Sequence, residues 1–384
     1  MRKVYIITQN DLVYYPPMQT LINLMLKMEI EVTFVGTFSD EKSRKEFEKL
    51  GVSFEDITLD ETGNALQKII RKKYYTKQIK EFLNKSRIKD EDLIWYVYSG
   101  ATVCSLYKLL RNYHYIVHFY EFFKSIHSWR YKLLYPSYDL GAFLSKAKAV
   151  VHCEYNRAQI CRALYGLKQM PYVIPNKPYV EIDKLNNIPT DINVQLNDFK
   201  QNIVGKRLII YQGYFNAKER RLEEFCQSIN LLPNEYVLVI MGRGSSYFDA
   251  LKERYESNRI IFIPFIRPPY HLLFTQNASY GILTYYPQQK TYPGVINPLY
   301  CAPNKIYEYG MFGIPMLGND IPGLKYPFKE FNCGEVLTYP ITPQKIADCI
   351  MLMENEYQKY SEGAKALNES VNIESVISEI LNSI

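Results

Sequence analysis

The chain has 384 residues, of which 47% are hydrophobic and 22% are charged, and its formal net charge is +6. That length favours two domains over one, and the apolar fraction can fill two cores, which excludes an intrinsically disordered chain. No apolar run reaches the roughly 18 residues of a membrane span, and seven scattered cysteines without a CxxC pair favour reduced thiols and a cytoplasmic protein.

Short apolar strands alternate with helical patterns along the chain. In the first half the predicted strands are 4–7, 32–35, 93–98, 115–119 and 149–153, and the predicted helices include 18–28, 41–50 and 103–111. In the second half the predicted strands are 208–211, 236–241, 260–263, 281–284 and 315–317. This alternation predicts an α/β fold of doubly wound parallel sheets with helices on both faces.

Between the two halves the apolar pattern lapses into a polar stretch. We therefore predict an N-terminal Rossmann-like domain over 1–178, an interdomain linker over 179–206, a C-terminal Rossmann-like domain over 207–356 and closing helices over 357–384. The first half is the basic one, because residues 1–178 hold 27 Lys and Arg against 18 Asp and Glu.

Residues 68–89 contain nine cations and one acid, interleaved with apolar side chains at helical spacing. Two interpretations remain open. The segment is either a basic amphipathic helix on an anionic membrane surface, or a solvated surface helix whose apolar stripe lies in the core. An aromatic and basic stretch over 122–135 carries the same ambiguity. The candidate contacts with an acceptor or a membrane in the helix are Lys72, Lys73, Tyr74 and Tyr75.

The segment 303–324 carries the most functional information. It predicts a short helix, a glycine stop, a buried strand and a Pro-Gly turn, with Lys305 and Glu308 one turn apart on one helix face. A helix N-terminus favours phosphate through its free amides and its dipole. Lys305 adds positive charge, and Glu308 can accept the two hydroxyls of a ribose. This order of groups suits a nucleoside diphosphate.

The segment closely resembles the donor-binding motif of GT-B glycosyltransferases, especially the family 4-like enzymes of bacterial capsular and exopolysaccharide biosynthesis. The resemblance implies two Rossmann-like domains facing a central cleft, the first binding the acceptor and the second the nucleotide-sugar. It also implies that the last helix packs back on the first domain. Segments 147–178, 211–223, 241–244 and 264–270 are similar to further motifs of these enzymes.

The same resemblance implies the donor site. In the family, a loop after the first strand of the second domain carries cations for the diphosphate. Arg220 takes the usual lysine position, whereas Tyr214 replaces the usual arginine and leaves Lys218 or Arg221 as substitutes. The other implied donor contacts, besides Lys305 and Glu308, are Gly213, Gly242, Arg243, Pro264, Ile266, Pro303, Asn304 and Ile306.

The chain also departs from the family pattern. The first of two glutamates spaced eight positions apart is replaced by Tyr300, so only the ribose-binding Glu308 is present. In the first domain Asp11 and Tyr14 replace a glycine-rich loop and are candidate acceptor contacts. The family has a HisGlu pair after the fourth strand, and in this chain His118 and Glu121 stand in its place. We place both residues at the cleft. For His118, a core histidine is an open alternative.

Departure of a nucleoside diphosphate builds negative charge on phosphate, so preorganised cations are the main catalytic need. Arg220 and Lys305 would supply them without a metal, and no cofactor is expected. The acidic run 90–92 matches a metal-binding DxD pattern, but its place before a strand indicates a charged turn. Retention, which the resemblance favours, needs no carboxylate base. An inverting reaction would use Asp11, Glu121 or His118.

We therefore predict a glycosyltransferase of the hexosyltransferase type. It would move a sugar from a nucleotide-sugar to a glycan or polyprenyl-linked acceptor in bacterial surface polysaccharide synthesis, in the cytoplasm or peripherally on the inner membrane surface, without nucleic acid. Two alternatives stay open. A nucleotide-sugar epimerase would form product from the donor alone, and a non-catalytic GT-B-fold subunit would bind nucleotide weakly or not at all.

Overall fold

The protein is described by a computed structural model over residues 3–123, 129, 138–180, 182, 185, 188–288 and 291–384. The chain separates into two compact units, Met1–Pro175 with Asn372–Ile384, and Asn176–Val371. Most of the aromatic and basic stretch 122–135 lies outside the described residues.

The first unit contains a parallel sheet, which in the described residues has seven strands in the order β3-β2-β1-β4-β5-β6-β7. The predicted strands of this half appear as β1, β2, β4, β5 and β6, while β3 and β7 are additional short edge strands. The strands are β1 Lys3–Asp11, β2 Glu31–Thr37, β3 Ser53–Asp56, β4 Leu93–Val97, β5 Tyr115–Phe119, β6 Ala149–His152 and β7 Tyr172–Val173. The helices are α1 Pro16–Lys27, α2 Glu41–Lys49, α3 Ala65–Lys85, α4 Val103–Leu110, α5 Leu140–Leu144 and α6 Tyr155–Tyr165.

The second unit repeats this architecture, with six described strands in the order β10-β9-β8-β11-β12-β13, all parallel. The strands are β8 Arg207–Gly213, β9 Tyr236–Gly242, β10 Ile260–Pro264, β11 Tyr280–Leu283, β12 Met316–Asn319 and β13 Gly334–Leu337. The helices are α7 Thr190–Asn202, α8 Glu223–Ser228, α9 Ser246–Tyr255, α10 Leu272–Thr275, α11 Tyr292–Leu299, α12 Asn304–Met311, α13 Pro322–Phe331, α14 Pro343–Asn355 and α15 Tyr357–Glu369.

The last helix, α16 (Ile373–Asn382), belongs to the first unit. It contacts α1 and β7, and Lys27 of α1 forms a 2.9 Å ion pair with Glu374. Ile377 and Ile380 of α16 are fully buried.

Helix α7 lies within residues 179–206, the segment expected to be a linker. Its Ile192, Leu196 and Phe199 are spaced by four and three residues and are buried in a core of the second unit. Apart from the exposed Val194, the other residues of the helix are polar. The average composition of the segment therefore resembles that of a linker, although one helix face is apolar. Among the described helices, none combines the length and apolarity that a membrane crossing requires.

Candidate functional site

The carboxyl ends of β8, β9 and β10 in the second unit are in register and form one edge of the sheet. Gly213 at the end of β8 pairs in register with Gly242 of β9, and Gly242 pairs with Pro264 of β10. Gly213 has φ +129° and Gly242 has φ +158°. A Cβ on Gly242 would lie 2.1 Å from the Gly213 carbonyl oxygen, so this close approach requires glycine. The edge formed here is where open α/β sheets bind ligands.

Helix α12 begins beside this edge. Pro303 is its N-cap residue and provides no side-chain cap, so the first amides of the helix are not satisfied by a capping side chain. A Cβ on Gly213 would lie 3.3 Å from Lys305 Nζ, which places the ammonium group directly over the end of β8. The predicted helix, with Lys305 and Glu308 one turn apart, is therefore confirmed as local structure.

Arg220 reaches the same place from the loop after β8. Its guanidinium carbon lies 4.0 Å from the ring centroid of Tyr285, which follows β11. Lys305 Nζ lies 5.5 Å from the same centroid and 4.5 Å from that of Tyr211. The two cations predicted to hold the diphosphate are thus brought together around one aromatic ring.

The protonation of Lys305 reflects this crowding. Burial of the ammonium group and, to a smaller extent, the nearby positive charge of Arg220 lower the pKa of Lys305 to about 7, although Glu308 opposes both effects. A diphosphate at this point would supply the negative charge that the lysine lacks, so ligand binding and protonation favour each other.

Glu308 lies beneath the cations and is almost fully buried. Gln212 Nε2 donates to one carboxylate oxygen at 2.6 Å, and His271 Nε2 lies 3.3 Å from the other. Thr275 in turn donates to the Gln212 side-chain oxygen. Burial raises the pKa of this carboxyl, but His271, Gln212 and Lys305 outweigh it, so the pKa of Glu308 lies below its ordinary value. The group is a fixed carboxylate at neutral pH.

The other predicted donor residues divide into two groups. Pro303 and Ile306 are buried around the start of α12, Asn304 is half-buried there, and Ile266 is buried in the core behind the loop after β10. Lys218, Arg221 and Arg243 are exposed. The Arg221 guanidinium lies 5.0 Å from the Tyr286 ring centroid and not on the Tyr285 ring. Tyr300 is half-buried, one residue after α11.

In the first unit, His118 is a buried residue of β5 that accepts a 3.1 Å hydrogen bond from the Trp95 indole. Burial lowers the pKa of His118 to about 3. The side chain is therefore neutral at physiological pH, which favours the interpretation as a core histidine. Glu121 is exposed just after β5, and its charge contributes to the raised pKa of Tyr15, second to the effect of burial on that hydroxyl.

Asp11 is the last residue of β1, and Tyr14 lies three residues beyond it. The Asp11 carboxylate accepts hydrogen bonds from the backbone amides of Val13 and Ser39, at 3.2 and 3.1 Å, so it organises the turn after the strand. The Tyr14 side chain is exposed.

Helix α3 has an outer and an inner face. Leu66, Ile70 and Tyr74 recur every four residues and are exposed, whereas Tyr75, with Ile79 and Leu83, is buried in the core. The assignment of Tyr75 to an acceptor or membrane face is thus wrong. One residue is a 100° step on a helix, and this step turns Tyr75 inward while Tyr74 points out. Lys73 is exposed and Lys72 half-buried.

Metal-ligating side chains do not converge in the part of the chain that the structure describes, where no group of three or more His, Cys, Asp or Glu could hold an ion. The acidic run 90–92 forms a turn before β4, in which Asp92 accepts from the Lys89 backbone amide at 2.9 Å.

Comparison with solved structures assigns the fold. Anabaena HepE in complex with UDP matches with a TM-score of 0.68 and 14% identity over 100% of both chains, and HepE has also been solved with UDP-glucose. A glycosyltransferase from Rickettsia africae matches at 0.67 and 13% over 100% of this chain and 95% of the other. WaaG, a glycosyltransferase involved in lipopolysaccharide biosynthesis, matches at 0.59 and 12% over 99% and 98%.

At these identities the similarity establishes architecture, and the predicted GT-B fold with two doubly wound Rossmann-like domains is confirmed. The sequence matches no protein-family profile and no curated protein sequence.

Several residues of the site were not singled out from the sequence. Gln212 lies at the carboxyl end of β8, and Tyr285 follows the carboxyl end of β11. Open α/β sheets bind ligands at this edge, so the two positions could have been predicted as site residues from the sequence. His271 is the N-cap residue of the one-turn helix α10, and Thr275 is the last residue of that helix. No sequence pattern connects them to Glu308, because their contact depends on the packing of α10 against α12.

Proposed function

We propose that the protein is a glycosyltransferase that moves a sugar from a nucleotide-sugar donor to an acceptor. The observation that carries the proposal is the arrangement around Tyr285. Arg220 and Lys305 meet there beside the start of α12, and the oriented carboxylate of Glu308 lies one helical turn further on. Cations and free helix amides suit a diphosphate, and a fixed carboxylate suits ribose hydroxyls. HepE, which has the same fold, has been solved with UDP and with UDP-glucose.

In the proposed reaction, negative charge develops on the departing diphosphate as the anomeric bond breaks and the sugar becomes oxocarbenium-like. Arg220 and Lys305 would stabilise this charge from positions fixed before the donor binds, which is the most effective form of electrostatic catalysis. These two side chains would supply the positive charge that the departing diphosphate needs. We therefore propose that the reaction depends neither on a metal ion nor on a cofactor.

We also propose that the reaction retains the anomeric configuration, as the family resemblance implies. The acceptor hydroxyl would then attack from the side on which the diphosphate leaves, and the departing phosphate would take its proton. The configuration of the product, determined by NMR, distinguishes this course from inversion, in which Glu121 is the exposed carboxylate available as a base.

For the acceptor, we propose a glycan or polyprenyl-linked saccharide of bacterial surface polysaccharide synthesis, approached at an anionic membrane surface. The outer face of α3, formed by Leu66, Ile70, Lys73, Tyr74 and Lys77, supports this. Its three apolar side chains are 58 to 67% exposed. Lys73 and Lys77 follow Ile70 and Tyr74 by three residues and so lie on the same side of the helix. Exposed apolar groups beside lysines match the interface of an anionic bilayer.

The test is a thermal-shift panel of nucleotides and nucleotide sugars, followed by assay of nucleoside diphosphate release with and without acceptor glycolipids. A true donor at 100 times its Kd stabilises a protein by about 2.7 kcal/mol, which is a shift of several degrees. We expect such a shift and acceptor-dependent release. Product formed from the donor alone would indicate an epimerase. Failure of every nucleotide to shift the melting temperature would contradict the proposal and favour a non-catalytic subunit.

A further inference from the structure

The two cations of the donor site have aromatic neighbours. The Tyr285 ring contacts both of them, with Arg220 4.0 Å and Lys305 5.5 Å from its centroid. Among the described residues, the ion pairs of this unit involve neither Arg220 nor Lys305. Within the part of the chain that the structure describes, the Arg220 guanidinium donates one hydrogen bond of 2.9 Å, to the neutral backbone carbonyl of Glu219.

The Tyr285 ring is held firmly. The Tyr285 amide donates to the side-chain oxygen of Asn319 at 2.8 Å, and the Asn319 amide group donates back to the Tyr285 carbonyl at 2.7 Å. Asn319 is fully buried at the end of β12, and its amide group also donates to the Tyr339 hydroxyl at 2.9 Å. These bonds fix the backbone of Tyr285, and its side chain is buried.

An aromatic face attracts a cation through its quadrupole but carries no net charge. A carboxylate in the same place would hold the two cations equally well and would also neutralise them, so it would compete with a phosphate. The Tyr285 ring lies close to two like charges and neutralises neither, so both can still interact with an anion. Lys305 gains a second such face from Tyr211, 4.5 Å away.

We propose that Tyr285 is a positioning residue for the donor diphosphate, whose ring holds Arg220 and Lys305 together for the phosphate oxygens. The inference rests on the proposed function, because it assumes that a nucleoside diphosphate binds here. It assigns to Tyr285 an effect on phosphate binding, since its ring lies against Arg220 and Lys305, whereas the Glu308 carboxylate is held by Gln212 and His271.

The experiment replaces Tyr285 with phenylalanine and with phenylalanine analogues that carry one, two or three ring fluorines. Successive fluorines weaken the negative face of the ring at nearly constant shape, so the fold is preserved. Binding of UDP and GDP is measured by calorimetry, and binding of uridine and guanosine by ligand-observed NMR. We expect Tyr285→Phe to bind the diphosphate within about twofold of the unmodified protein, and the trifluorinated variant about tenfold more weakly. Nucleoside binding should stay constant along the series.

The possible outcomes separate the two hypotheses. Equal diphosphate affinity along the fluorinated series would overturn the role of Tyr285 and leave the proposed function intact. A parallel loss of diphosphate and nucleoside binding would show that Tyr285 is merely structural, which also overturns the inference. If the unmodified protein binds no nucleoside diphosphate of the thermal-shift panel, both the inference and the proposed function fail. Tyr285→Leu, which removes the ring altogether, should lose at least as much diphosphate affinity as the trifluorinated variant.

Discussion

Gln212 donates a 2.6 Å hydrogen bond to the Glu308 carboxylate, and this bond joins the end of β8 to the second turn of α12. His271 contacts the opposite carboxylate oxygen at 3.3 Å. Each oxygen offers about two lone-pair positions, so both can still accept a ribose hydroxyl. The Glu308 carboxylate is therefore held in a defined orientation by Gln212 and His271.

The first prediction concerns this carboxylate. Glu308→Gln replaces one acceptor oxygen with a donor, so it should weaken UDP binding about tenfold, which is close to the value of one charge-assisted hydrogen bond. Binding of 2′-deoxy-UDP, which has one ribose hydroxyl fewer, should change less. Calorimetry with both ligands measures the difference. Glu330→Gln, at an exposed site on α13, is the control. Equal losses for the two ligands would refute ribose recognition by Glu308.

The second prediction concerns pH. Burial lowers the pKa of free Lys305 to about 7, and a bound diphosphate should raise it. The complex then holds a proton that the free protein loses above pH 7, so affinity should be constant below about pH 6 and should fall by up to tenfold per unit above pH 7. UDP-glucose is the suitable ligand, since its phosphates keep a constant charge in this range. Lys305→Met should bind weakly and independently of pH. An unaltered affinity of the native protein between pH 6 and 9 would contradict the assignment.

The third prediction concerns catalysis. Replacing Lys305 or Arg220 with alanine removes one preorganised charge from the departing diphosphate and should reduce turnover at least about tenfold, while the melting temperature stays close to that of the native protein. Arg221→Ala is the matched control, because its guanidinium lies on Tyr286 and is exposed. It should keep turnover within about threefold. If Arg221→Ala were the more damaging change, the cation of the family motif would have been misassigned.

The second half of the fold was largely predictable because its signals are local. Gly313 and Pro315 mark the end of α12 and the start of β12 closely, and the strands of the parallel sheet are short apolar runs. The start of α12 also follows from the sequence, so Lys305 and Glu308 could be placed on one helix face. The helix, the turn and the strand of this segment thus follow from spacing within some twenty residues, whereas the donor-binding role predicted for it came from the family resemblance.

The remaining features depend on tertiary packing. Tyr285 and Arg220 meet only because β11 lies next to β8 in the sheet, although many residues separate them in the chain. Tyr74 and Tyr75 are chemically identical neighbours, and only the docking of α3 decides which one is buried. Neither the contact between Tyr285 and Arg220 nor the burial of Tyr75 is encoded in a local sequence pattern. The sequence therefore indicates candidate site residues but not which of them meet in the folded chain.

The fourth prediction tests the close approach of the sheet edge. A Cβ on Gly242 would lie 2.1 Å from a backbone oxygen, whereas one on Gly244 would have nothing within 4 Å. Gly242→Ala forces the backbone to move and should cost about 3 kcal/mol, or roughly 5 to 10 °C in melting temperature. Gly244→Ala should stay within about 1 °C. The melting temperatures of the two variants, measured by circular dichroism, test this prediction. Equal melting temperatures would show that the backbone at the sheet edge can shift to accept a Cβ, and would contradict the prediction.

The fifth prediction tests the outer face of α3. Reversing Lys73 and Lys77 to glutamate replaces attraction to an anionic bilayer by repulsion, at about 1 kcal/mol for each lysine lost, so binding should weaken more than tenfold. Cosedimentation with vesicles of phosphatidylglycerol and phosphatidylcholine measures it. The control reverses Lys45 and Lys49 of α2, which are equally exposed and give the same net charge. Equal losses in both double variants, or strong binding to pure phosphatidylcholine, would contradict a membrane role specific to α3.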